Sequence, residues 1–215
     1  VQNAPGSSTP GCEPNCFIPN PITIDVGGTV TWEPRIGNPK PWLARYPEQQ
    51  SLINAMGLPG HGSKQVAQDL SRYKTRNDPI LVSIGGLTVD EFLKCHRLLE
   101  PLVDGIELNI SSPNTEGLRA FQEPTSFTEL VERVNEVRRK PLFVKLPPYF
   151  NDQEREKILT LARLCVRHDV DGVTTINTRP AQEPALKAGA GGISGKLLFE
   201  DAIRVIGDVH TETGG

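Results

Sequence analysis

Four short apolar runs, at residues 79–84, 105–110, 141–146 and 172–176, punctuate the chain, and the stretches between them carry helix signals. Runs of this length, rich in β-branched and large apolar residues, suit parallel strands buried on both faces. Thr88-x-x-Glu91 and Ser126-x-x-Glu129 read as capping boxes, in which hydroxyl and carboxylate satisfy the free N–H groups of a helix start. Asn151 with Glu154 is a variant of the same device. Phe127, Leu130, Val131, Val134 and Val137 then fall on one stripe, which would cover a sheet face. Strand and helix alternating in this way predict a parallel α/β fold with right-handed crossovers.

A closed barrel and an open doubly wound sheet share that order, so the placement of polar residues decides between them. Ser83, the group Asn109 to Ser112, Lys145, and Asn177 with Thr178 all stand at carboxyl ends of the expected strands. Polar groups contributed to one rim by consecutive strands are the habit of a (β/α)8 TIM-type barrel, whereas an open sheet gathers its site at one switch point. No G-x-G-x-x-G follows a strand, which argues further against a nicotinamide Rossmann fold.

Taken singly, these groups have plainer readings. Asn109-Ile-Ser-Ser-Pro-Asn-Thr115 fits a Ser/Asn/Pro turn as well as a site. Lys145, closing the run Leu142-Phe-Val-Lys, either needs a partner or extends its ammonium to solvent. Gly189-Ala-Gly-Gly-Ile-Ser-Gly195 offers unobstructed backbone N–H groups to an anion, or is a flexible loop.

Charge excludes some functions. The 215 residues carry a formal net charge of -3, with Lys and Arg interleaved with Asp and Glu along segments such as 132–140, expected to be helical. That is not the basic stripe of a nucleic-acid binder. No apolar run reaches membrane-spanning length and the start shows no secretory pattern, so a cytoplasmic protein is expected. Cys95 and Cys165 occupy apolar positions of expected helices and read as buried thiols. Cys12 and Cys16 fit a local disulfide or half a metal site, but no second Cys/His pair follows at zinc spacing. Residues 1–21, rich in Pro, Gly, Asn and Ser, read as an extended arm, and residues 22–32 alternate around Gly28 like a hairpin or a bulged strand.

From about Gly28 onward the sequence resembles the dihydroorotate dehydrogenase family. The matching blocks, in the family's order, are Gly28-Thr-Val-Thr31 with Glu33-Pro-Arg35 and Gly37-Asn-Pro-Lys-Pro41; Asn54-Ala-Met-Gly-Leu58; Asn109 to Thr115; Val144-Lys145; Thr175-Ile-Asn-Thr178; and Gly191-Gly-Ile-Ser-Gly195. The resemblance implies an FMN-dependent oxidation of dihydroorotate to orotate in pyrimidine biosynthesis. It places Asn54, Met56, Gly57, Leu58, Asn109, Asn114, Asn177 and Thr178 around the substrate. Lys145 then stands at the flavin N1/O2 edge, with Thr29, Ser83, Asn109 and Thr175 as further flavin contacts and Ser194 and Gly195 at the FMN phosphate. Ser112 is the implied catalytic base, activated by hydrogen bonding in a dry site.

Serine at position 112 matches the quinone-linked class, while Asn54 to Pro59 looks more like the soluble class, so quinone, fumarate and NAD all stay open as the electron acceptor. Dimerisation is implied only as a family habit. The segment 1–32 is similar to the opening strands of archaeal plastocyanin-like copper proteins, without the copper ligands, so no metal is expected. The expected organisation is thus a short extended or β segment at 1–32, joined within residues 27–33 to a partial barrel at 33–215 that lacks the family's first strand and its last two. A dihydropyrimidine-oxidising relative and a non-catalytic fusion that binds no cofactor are the competing readings.

Overall fold

The computed structural model describes residues 25–26, 28–72, 79–111 and 117–214. Ser112, Asn114, Cys12, Cys16 and most of the expected N-terminal arm lie outside those residues. In chain order the elements are β1 (Asp25–Val26), β2 (Val30–Thr31), β3 (Leu43–Tyr46), β4 (Ser51–Asn54), α1 (Gly62–Arg72), β5 (Ile80–Gly85), α2 (Val89–Leu99), β6 (Gly105–Asn109), α3 (Pro124–Asn135), β7 (Leu142–Leu146), α4 (Asp152–Arg167), β8 (Gly172–Thr175), β9 (Arg179–Gln182), β10 (Ala190–Gly195) and α5 (Phe199–Thr213).

The expected runs become β5, β6, β7 and β8, which pair in parallel in sequence order. β1 and β2 both lie parallel along the free edge of β5. They form one interrupted strand near Gly28, which matches the bulged strand rather than the hairpin of the two expected forms. The sheet fills five consecutive strand positions, and its helices pack on the outside, as in a (β/α)8 barrel that is not closed.

Period-two alternation assigns the two faces. Val82, Ile84, Ile106, Leu108, Leu142, Val144 and Leu146 are buried against Phe92, Leu99, Phe127, Leu130 and Leu161 of the helices. The register puts Ser83, Glu107, Phe143 and Gly172 in one layer of the other face, and Gly85, Asn109, Lys145 and Thr174 in the layer nearer the carboxyl ends. Small residues let this inner face curve. A Cβ on Gly172 would lie 2.9 Å from the Phe143 ring, so this large inward side chain is accommodated by a glycine on the next strand.

Helix starts follow local chemistry, with two departures from expectation. Thr88 caps α2 by accepting from the Glu91 N–H at 3.2 Å, and Asn151 caps α4 by accepting from the Glu154 N–H at 2.8 Å. In each, the glutamate accepts from the residue before the cap, Leu87 at 2.6 Å and Phe150 at 2.8 Å. Helix α3 does not start at a Ser126 box. Glu123 is its cap without a side-chain bond, because Pro124 supplies a preset φ at the first position, where its missing N–H costs nothing. Nor does the helix run on to Lys140: it ends at Asn135, and the N–H groups of Arg139 and Lys140 go to the Glu100 carboxylate at 2.6 and 3.0 Å. Pro141 disfavours helix at Lys140 in any case. The Cys95 and Cys165 thiols are buried in α2 and α4, and burial pushes both up to about 12.

A second sheet, absent from the sequence expectations, is antiparallel in the order β3-β4-β10-β9. Glycine-rich residues 190–195, read above as a loop, are its strand β10, paired with β4 on one side and β9 on the other.

Helix α5 is clamped beside the carboxyl end of β7. Asp208 accepts from the Tyr149 hydroxyl and, at 2.8 Å, from Arg155, while the Arg204 guanidinium lies 4.5 Å from the Tyr149 ring centre. Hydrogen bonds from Arg155 and Tyr149 hold the Asp208 carboxyl down to about 2. A depressed acid stabilises the fold above its unfolded value of about 3.9 and loses that contribution as pH falls through the folded one. Denaturant midpoints should therefore fall for the native chain between about pH 4 and pH 2, and fall less for Asp208→Asn. Parallel losses in the two proteins would remove Asp208 from the account.

Candidate active site

The inner layer at the carboxyl ends of the parallel strands carries a continuous hydrogen-bonded chain of side chains. The Ser83 hydroxyl, one layer deeper on β5, lies 3.1 Å from the Thr29 hydroxyl beside β2. Thr29 accepts from the Asn109 amide nitrogen at 2.8 Å. Asn109 Oδ1 accepts from the Ser111 backbone N–H at 3.1 Å and from the Ser111 hydroxyl at 3.0 Å. Ser111 Oγ in turn accepts from the Asn177 amide nitrogen at 3.0 Å, and Asn177 Oδ1 accepts from the Thr178 N–H at 2.7 Å. Four strand ends are thus tied together by polar groups, three of which, Ser83, Asn109 and Ser111, are almost fully shielded from solvent.

Lys145 pairs in register with Asn109 on one side and Thr174 on the other, so its side chain shares the face of that chain. It is half-buried and makes no hydrogen bond or ion pair among the described residues. One layer deeper, Glu107 is 1% exposed and its Oε1 has no partner among the described residues.

The 54–58 segment reaches the rim from the second sheet. Asn54 ends β4 opposite Gly192 of β10, and its Oδ1 accepts from the Met56 N–H at 3.4 Å. Asn38 binds the Ala55 and Met56 carbonyls, each at 2.9 Å, and Arg35 donates to the Gly57 carbonyl at 3.3 Å. Gly57 at φ +72° and Leu58 at φ +57° turn the chain so that Leu58 lies over Gly85, among Thr29 and the Asn109 carbonyl. Thr178 packs directly on Gly192, which brings it to the strand pair that holds Asn54.

The structure therefore gathers Thr29, Ser83, Asn109, Asn177 and Thr178 in one network, sets Lys145 beside it and brings Asn54 to Leu58 against its edge. Other expected residues stand apart. Thr175 pairs with Leu146, on the helix-facing parity, whereas Thr174 is the residue aligned with Lys145. Ser194 and Gly195 lie farther along β10, past Ile193, the last residue paired with β9, so on that side their backbone has no strand partner. Ser111 was missed as a site residue although period-two reading from Glu107 through Asn109 to Ser111 would have put it on the same face. A cavity of about 120 Å³ lined by Trp32, Arg35, Leu58 and Leu118 includes none of the amides and is too small for a flavin.

Among the described residues, no helix is long and apolar enough to cross a membrane. The family model described as dihydroorotate dehydrogenase matches residues 21–215. A dihydroorotate dehydrogenase (quinone) from Thermus thermophilus is 38% identical over 192 residues, covering 83% of this chain and 54% of that relative. One from Chloroflexus aurantiacus is 35% identical over 210 residues, covering 87% of this chain and 57% of the relative. The chain so spans about half the length of these curated relatives. In fold it is similar to the ligand-free dihydroorotate dehydrogenase of Eimeria tenella, with a TM-score of 0.78 at 23% identity over 89% of this chain and 63% of that one. With a family model spanning the described barrel strands, this chain belongs to the dihydroorotate dehydrogenase family.

Proposed function

We propose that the chain carries the substrate- and flavin-facing rim of an FMN-dependent dihydroorotate dehydrogenase that converts dihydroorotate to orotate and delivers the electrons to a quinone. The observation that carries this reading is the run of amides and hydroxyls from Ser83 to Asn177 with Lys145 beside it. The residues present fit a flavin: a half-buried lysine without a partner among the described residues suits an edge that becomes negative on reduction, and small inner-face residues leave Lys145 accessible from the rim. Lys145 would hold the N1/O2 edge, Thr29, Ser83 and Asn109 would contribute further contacts, and Ser194 with Gly195 would hold the phosphate. FMN, when bound, supplies the acceptor for a hydride.

Asn54, Asn109, Asn114 and Asn177 would orient the planar ring and its carboxylate, with the backbone of Met56 to Leu58 and Thr178 closing the edge. Ser112 would take the C5 proton as hydride leaves C6, so that a C5–C6 double bond replaces two C–H bonds. The quinone assignment is supported by the similarity to dihydroorotate dehydrogenases (quinone) 35–38% identical to the chain and by serine rather than cysteine at position 112.

The test is a visible spectrum of the purified chain, loaded with excess FMN and desalted, recorded anaerobically before and after dihydroorotate. The expected result is a retained flavin band that bleaches with substrate. A colourless protein, or a flavin band indifferent to dihydroorotate, would sink the proposal for this chain.

A further inference from the structure

Ser111 is the one described residue that bonds both Asn109 and Asn177, and the direction of each bond can be worked out from groups that cannot reverse. The Ser111 backbone N–H can only donate, so the atom of Asn109 facing it at 3.1 Å is the amide oxygen. By the same logic the Thr178 N–H, at 2.7 Å, fixes the oxygen of Asn177. Asn109 must then present its nitrogen to Thr29, at 2.8 Å, and Asn177 must present its nitrogen to Ser111 Oγ, at 3.0 Å. Because that hydroxyl accepts from Asn177, its own proton is directed to Asn109 Oδ1, at 3.0 Å.

Each amide nitrogen carries two protons and uses one in this network, so each amide keeps one N–H to offer. Both oxygens already accept from a backbone group. The rim at this point therefore displays donors, and its fitting ligand atoms are acceptors such as a ring carbonyl or carboxylate oxygen. Ser111 is 2% exposed, so water does not substitute freely for its hydroxyl.

We infer that Ser111 is a positioning residue that sets the amides of Asn109 and Asn177 to offer N–H outward, making this part of the rim selective for acceptor oxygens on the ligand. The inference rests on the proposed dehydrogenase site, and it makes no demand that Ser111 touch substrate. Among the described residues, removing the hydroxyl leaves Asn177 without its only side-chain acceptor and Asn109 with a single backbone bond holding its oxygen.

The experiment compares the native chain, Ser111→Ala and Ser111→Thr, each loaded with FMN and titrated with orotate through the flavin absorbance. In parallel, the side-chain amide signals of Asn109 and Asn177 are followed by 15N NMR without ligand. The expected result is that Ser111→Ala keeps its flavin, loses orotate affinity by roughly tenfold, and shifts both amide signals toward those of free side chains. Ser111→Thr, which keeps a hydroxyl, restores both readouts. Unchanged amide signals in Ser111→Ala overturn the inference, as does unchanged orotate affinity where the native chain binds orotate. A native chain that takes up neither flavin nor orotate instead removes the proposed function. The amide signals of the two variants then decide alone whether Ser111 sets the amides.

Discussion

Lys145→Met should slow flavin bleaching by dihydroorotate by about 100- to 1000-fold, the scale on which removing one preorganised electrostatic contact to a developing charge acts. Methionine nearly preserves the volume of the lysine stem, so the inner face between Asn109 and Thr174 should stay filled and the fold intact. What disappears is a positive charge on a half-buried side chain that no described carboxylate neutralises.

The sign of the effect can be checked without turnover. A cation near the N1/O2 edge favours the reduced, negatively charged flavin, so the variant should have a lower flavin midpoint potential at unchanged FMN content. A variant that bleaches at the native rate, with the native potential, would show that Lys145 faces solvent and leaves the reaction unaffected. Loss of FMN altogether would instead assign Lys145 to cofactor retention.

The strands β5 to β8 were legible to within a residue at either end because each is a short, largely apolar run, the pattern of a strand between a helix layer and a barrel interior. The polar rim was legible for the same reason: Asn109, Lys145 and Ser83 interrupt those runs where a plain core would not. Strands β3, β4, β9 and β10 left no comparable trace. They are four to six residues long and include Pro180, Gly191 and Gly192; β3 with β4 and β9 with β10 are local pairs, but the two pairs join only across more than a hundred residues, as Asn54 does with Gly192. Nothing local records such a pairing. The start of α3 was misplaced because two valid signals, Pro124 and Ser126-x-x-Glu129, compete within one turn, and the proline acts first. Placement on the inner face was legible for residues whose type is odd in a strand, such as Lys145. Ser111 escaped because serine after a strand is ordinary, and only its simultaneous bonds to two amides distinguish it.

Strand β10 carries the second large expectation, which concerns two adjacent glycines that point to opposite faces. A Cβ on Gly191 would run into the backbone carbonyl of Asn54, whose carbon lies 2.8 Å from the added atom. That carbonyl belongs to β4, flanked by β3 and β10, so it cannot retreat without unzipping a ladder. A Cβ on Gly192 would lie 2.6 Å from Thr178 Cβ, and here the obstacle is a side chain on a loop. Overpacking of this kind costs about 1–3 kcal/mol, and more where only backbone can move. Gly191→Ala should therefore be the more destabilised of the two, by about 3 kcal/mol or more in urea unfolding, a large share of the 5–15 kcal/mol typical of a domain. Gly192→Ala should stay folded but push Thr178 off the rim and, through its N–H, disturb the oxygen of Asn177. Its signature is weakened orotate binding at near-native stability. If Gly192→Ala bound orotate like the native chain, Thr178 and its contact with β10 would have no part in holding the amide, and the second sheet would serve only as a prop for the 54–58 segment.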